Sequence, residues 1–115
     1  MSNVRTIESS PEFSHVAIDG RLDIDGVGAI DTALTVATVT RGKPVMLDMS
    51  AVEFLGSLGI GMLVRCAVSL QRRGARFVLF GCQPLVQKTL ETAKVTSVLP
   101  LADTEAAARA LLATA

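Results

Sequence analysis

Tryptophan and tyrosine are absent from this chain of 115 residues, and four phenylalanines are its only aromatics. Its core must therefore be aliphatic, built of Val, Leu, Ile, Met and Ala. Cysteine is scarce too. Cys66 and Cys82 are not spaced as CxxC, and neither has a His or a second Cys close enough for a zinc site. Both read as buried, reduced thiols. The single histidine, His15, falls on an expected strand and reads as structural or surface-exposed. No apolar run approaches the ~20 residues that a membrane-spanning helix needs. Met1-Ser2-Asn3-Val4-Arg5 has no signal-peptide apolar core, so a cytoplasmic location is expected. The formal net charge is zero. No basic cluster exceeds Arg72-Arg73 with Arg76 nearby, which argues against a nucleic-acid face and a polybasic membrane anchor.

Half of the residues are hydrophobic. A chain of this length is expected to form one domain, residues 1–115, burying roughly two-thirds of its unfolded surface without metal or disulfide support. Val4 to Ser9 and Ser14 to Asp19 read as a strand pair joined by the turn at Ser10-Pro11-Glu12. Gly20-Arg21-Leu22-Asp23 reads as a loop. Asp25 to Val39 has helical spacing through Val27, Ile30, Leu34 and Ala37. Its glycines, Gly26 and Gly28, weaken the first turn by roughly 1 kcal/mol each relative to Ala, so this helix depends on packing.

The next stretch is the most informative. Val45-Met46-Leu47 is an apolar run that reads as a buried strand, closed by Asp48-Met49-Ser50. From Ser57 to about Arg73 the spacing is helical, with Ile60, Leu63, Ala67 and Leu70 toward the sheet. Ser57 is well placed as the N-cap, and Leu58 and Met62 fall on the border of the apolar face. Gly59 and Gly61 invite close approach of another backbone, within the fold or from a partner. Arg76 to Phe80 reads as a central strand, and Pro84 as the first turn of a helix carrying Val86, Leu90 and Ala93. Val98-Leu99 reads as a short strand. A last helix starts at Asp103-Thr104-Glu105, with Ala107, Ala110 and Leu111 as its seam. The order is β-β-α-β-α-β-α-β-α: an α/β domain with a mixed, mostly parallel sheet of about five strands and four helices.

The string Leu47-Asp48-Met49-Ser50-Ala51-Val52-Glu53-Phe54-Leu55-Gly56-Ser57-Leu58-Gly59-Ile60 resembles the signature of the STAS family, of the anti-sigma factor antagonist type. The family pattern is a strand, Asp, a hydrophobic residue, Ser, then after a short spacer Phe, a hydrophobic residue, Asp, Ser, Ser or Thr, and Gly. Gly56 stands where that pattern has its second Asp, and Leu58 where it has Ser or Thr. Gly20, Leu22 and Asp23 match a Gly-x-Leu-Asp that many members carry beside the serine loop. The resemblance implies a STAS fold, a phosphoacceptor at Ser57, and a partner-docking face of Asp23, Asp48, Gly56, Ser57, Leu58 and Met62. The partner it implies is an anti-sigma factor that is a serine kinase of the histidine-kinase-like ATPase type, with a serine phosphatase reversing the modification. A constitutive STAS subunit, as in lipid-transporting ABC assemblies or larger signalling complexes, is the alternative.

Catalysis is not expected from these residues. A hydrolytic or transfer site needs a nucleophile with a base, and His15 is far from Ser57 in sequence. There is no Gly-x-Ser-x-Gly elbow and no phosphate loop ending in Lys-Ser or Lys-Thr. No cofactor or metal is expected, and no motif for a nucleotide stands out.

Overall fold

The computed structural model describes residues 2–113. Its elements run β1 (Val4–Ser9), β2 (Ser14–Leu22), α1 (Ile24–Ala37), β3 (Val45–Leu55), α2 (Ser57–Gln71), β4 (Phe77–Phe80), α3 (Pro84–Thr92), β5 (Leu101–Ala102) and α4 (Glu105–Ala113). The five strands form one sheet in the order β1-β2-β3-β4-β5. β1 pairs antiparallel with β2; the other three pairings are parallel. Element order and sheet type are those expected from the sequence.

The strand pleat divides the core. Val45, Leu47 and Met49 of β3 and Phe77 and Leu79 of β4 join Ile30 and Leu34 of α1, Leu63 and Leu70 of α2, and Val86 and Leu90 of α3 in one buried cluster. Met46, Val78 and Phe80, the alternate positions, pack instead with Ala108, Leu111 and Leu112 of α4. Three helices thus cover one face and α4 the other. Both faces of β4 are buried, which explains its unbroken apolar run.

Two strands outrun their sequence signals. β3 does not end at Asp48 but continues for seven more residues to Leu55. Asp48 is level with Phe80, the last residue of β4, and its Oδ1 accepts from Ser50 N–H at 2.9 Å. The polar run therefore marks where β4 stops flanking β3, while the ladder with β2 carries on from Asp19↔Ala51 to Leu22↔Leu55. β2 likewise runs through the expected loop. Gly20, at φ 88°, sits between two register shifts, so this glycine serves an irregular strand rather than a turn.

The last strand lies later than expected. Val98 and Leu99 form a tight turn, with both amides donating to the Val95 carbonyl at 3.0 and 2.8 Å. Leu99 is buried there, and bonding to β4 begins at Pro100, which has no N–H to give but whose carbonyl accepts from Leu79 N–H at 2.9 Å, ahead of the Leu79↔Leu101 pair. On α4 the buried seam is Ala108 with Leu111 and Leu112 beside it. Ala107 and Ala110 are exposed, because the helix begins two residues after Asp103 and Thr104 caps it through Ala107 N–H.

Candidate functional site

The parallel strands β2 and β3 end side by side. Their last bond runs from Gly56 N–H to the Leu22 carbonyl at 3.1 Å. Asp23 and Ser57 each stand one residue beyond it and each begins a helix region, so the starts of α1 and α2 are brought together.

Ser57 is the first residue of α2, and its side chain is exposed. It is not the N-cap. That position belongs to Gly56, at φ −94° and ψ −179°, and no side chain caps the helix. The extended backbone is one that any residue adopts. A Cβ at Gly56 would meet the Phe54 ring at 3.2 Å and the Leu22 oxygen at 3.6 Å. The family's Asp thus has room here once the ring gives slightly. Gly59 is different. A Cβ there would lie 2.7 Å from Leu55 Cδ1, 2.9 Å from Leu22 Cβ and 3.1 Å from the Leu22 oxygen. The close approach anticipated at Gly59 is to this fold's own strand ends; at Gly61 the nearest atom is Arg65 Nη1 at 3.7 Å.

Asp23 caps α1. Its Oδ1 accepts from Gly26 N–H at 3.0 Å, and Arg21 Nε lies 3.7 Å from Oδ2. The Gly26 hydrogen bond, aided by Arg21, holds the carboxyl below its ordinary range. Arg21 faces Phe54 across the ladder, its Cζ 4.5 Å from the ring centre.

Two expected members of this face lie elsewhere. Met62 is fully buried in the core cluster, because the helix turns this position under α1 rather than toward solvent. Asp48 lies seven residues back along β3, roughly 20 Å from the strand end at ~3.3 Å per residue. It faces the turn after β4, where Gly81 and Gln83 approach; Gln83 Nε2 donates to the Ser50 carbonyl at 3.0 Å.

The fold supplies other members. Ile24, Phe54, Leu58 and Leu85 are exposed large apolar side chains. Each lies at the end of the sheet where β2 and β3 finish or in the first turn of a following helix. A shallow cavity of about 160 Å³ between Phe54 and Leu85 links the two. An apolar residue in the first turn of a helix, as at Ile24 and Leu58, was the available sequence signal. Isolated apolar surface residues are ordinary; several at one end of a sheet make a surface that a partner can cover.

The remaining chemistry is quiet. His15 is buried on β2 with its ring 5.6 Å from Phe80, on the α4 side of the sheet. Burial pushes the Cys66 thiol up and the Cys82 thiol to about 11. Among the described residues no group of His, Cys, Asp and Glu is placed to hold a metal ion. None of the helices they form is long and apolar enough to cross a membrane.

Residues 5–108 match the family model of the STAS domain. The anti-sigma-B factor antagonist of Listeria monocytogenes is 24% identical over 98 residues, covering 85% of this chain and 86% of that protein. The anti-sigma-factor antagonist (STAS) domain protein from Planctomyces limnophilus superposes with a TM-score of 0.84 at 23% identity, over 98% of this chain and 99% of the other. The anti-sigma factor antagonist SpoIIAA, in its unphosphorylated form, superposes with a TM-score of 0.75 at 18% identity, covering 98% of this chain and 99% of its own. With the family match spanning nearly all of the sheet and its helices, the chain belongs to the STAS domain family.

Proposed function

We propose that this chain is an anti-sigma factor antagonist, a non-enzymatic module that docks on an anti-sigma factor through the face around Ser57 and is switched off by phosphorylation there. The observation that carries this is the setting of Ser57, an exposed residue at the start of α2, with exposed Leu58 next to it and exposed Ile24 and Phe54 at the ends of the two strands that finish there. The relatives named as antagonists support the role, and the solved forms of SpoIIAA, one of them phosphorylated, support the switch. In this reading the anti-sigma factor is a serine kinase of the histidine-kinase-like ATPase type. The kinase supplies the base and the nucleotide. Ser57 Oγ loses its proton to that base and bonds the γ-phosphorus as ADP leaves; a phosphatase later returns the phosphoryl group to water. The added charge of about −1.5 to −2 opposes burial of an apolar face against the partner.

A second reading is a constitutive STAS subunit in another complex. It is favoured by Gly56 and Leu58, which leave the acceptor without its adjoining carboxylate and make its surroundings more apolar. One experiment separates the two. Wild type and Ser57→Asp serve as parallel baits in the native cell, with mass spectrometry of the partners and of the bait's Ser57 peptide. A kinase-like ATPase retained by wild type alone, with part of Ser57 phosphorylated, is the expected result. Equal partners on both baits and an unmodified peptide would overturn the switch and leave the constitutive subunit.

A further inference from the structure

Arg21 holds two contacts, to the Asp23 carboxylate and to the Phe54 ring. Its side chain is 59% exposed, and ion pairs and cation–π contacts are weak at such sites. A stronger anion nearby would draw the guanidinium away from both. The ladder puts Arg21 beside Phe54, and the edge of that ring lies 3.2 Å from where a Cβ at Gly56 would stand, one residue before Ser57. Asp23 and Ser57 are one residue past the same interstrand bond, on strands about 4.8 Å apart. Arg21 precedes Leu22, whose carbonyl takes that bond, and Ser57 follows Gly56, whose amide gives it, so the two residues flank one interstrand bond and a long, exposed arginine side chain has the reach to turn toward a phosphate there.

We infer that Arg21 is the internal counter-ion of phosphorylated Ser57, leaving the Phe54 ring to pair with the phosphate; this rests on the reading of Ser57 as the phosphoacceptor. A phosphate on Ser57 meets unfavourable company. Asp23 stays ionised because Gly26 N–H holds it so. Asp25 lines the same cleft of about 310 Å³ beside Arg21, and exposed Glu53 precedes Phe54. These acids repel a dianion, and Arg21 is the cation set among them, with a planar fork that suits two phosphate oxygens. Phosphorylation then acts twice on the docking face. It adds charge, and it strips the guanidinium from Phe54, so that the ring loses the partner that orders it.

The test needs no kinase. Phosphoserine is installed at position 57 of the full chain during translation, and its phosphorus resonance is followed against pH in wild type, Arg21→Gln and Arg21→Lys. The second phosphate pKa is expected to be lower in wild type by about half a unit or more than in Arg21→Gln, with Arg21→Lys between. The start of α2 acts alike in all three and cancels. In the wild-type fold alone, the Arg21 Nε–H resonance is expected to move as it leaves the shielding face of Phe54. Equal titration midpoints in wild type and Arg21→Gln, or an unmoved Nε–H, would overturn the inference. An unmodified Ser57 in the cell would overturn the acceptor reading instead, so the two failures are distinguishable.

Discussion

The amide of Gly56 donates to the carbonyl of Leu22 across 3.1 Å, and this bond sets Asp23 beside Ser57. Leu22 and Leu55 are far apart in the chain, yet the ladder brings them level. Gly59, three residues after Gly56, keeps that junction closed, because Leu22 and Leu55 fill the space that a Cβ would need.

Gly59→Ala is therefore expected to destabilise the fold, although alanine is the better helix former by roughly 1 kcal/mol. Its Cβ would sit 3.1 Å from the Leu22 oxygen, a backbone atom that cannot rotate away. Overpacking of this kind costs about 1–3 kcal/mol. Gly61→Ala meets only Arg65 Nη1 at 3.7 Å and is expected to be neutral or stabilising. Urea unfolding of the two variants checks the contrast.

Gly56→Asp is expected to stabilise α2 by a few tenths of a kcal/mol up to about 1, since the N-cap has extended backbone and no side chain at work. The Phe54 ring, 3.2 Å from the new Cβ, must shift. Thermal melts read the gain, and the same variant restores the carboxylate that the family pattern places before the serine.

Met62→Ala is expected to cost about 2–5 kcal/mol, as for a fully buried core side chain, and Met62→Leu less than about 1.5. A surface role would predict little loss in either. Chemical denaturation decides.

Asp23→Ala is expected to lower the melting temperature by several degrees near neutral pH, through loss of the cap on Gly26. Folding depresses this carboxyl's pKa. Its contribution is thus complete above the ordinary carboxylate range, about 4, and is lost as pH falls through the lower folded value. Melting curves of wild type and Asp23→Ala should converge below that range. Asp23→Asn keeps a cap and should show a smaller loss with less pH dependence.

Both thiols are expected to react slowly with a thiol-specific reagent at pH 8 in the folded state. Burial holds Cys82 at about 11 and raises Cys66 as well, so little thiolate is present. Both should react at ordinary rates in denaturant, which an absorbance assay with and without urea measures.

The order of elements was legible in the chain because local periodicity and punctuation carry it. Val45-Met46-Leu47 and Phe77 to Phe80 are apolar without a break since both faces of those strands are buried. Gly74 and Gly81 end their elements with positive φ, and Pro84 opens α3. Ser57 stood out by the resemblance of its surroundings and by its place before a helical run. What the chain alone left open were lengths and neighbours, which depend on residues far apart in sequence. Asp48 looks like a strand end, but β2 goes on pairing with β3 after β4 has stopped. Gly20 looks like a turn, but it is a strand irregularity. Met62 looks like a border residue, but α1 covers it. Arg21 and Phe54 share no local pattern; only the register between two parallel strands stacks one on the other near the ends of β2 and β3.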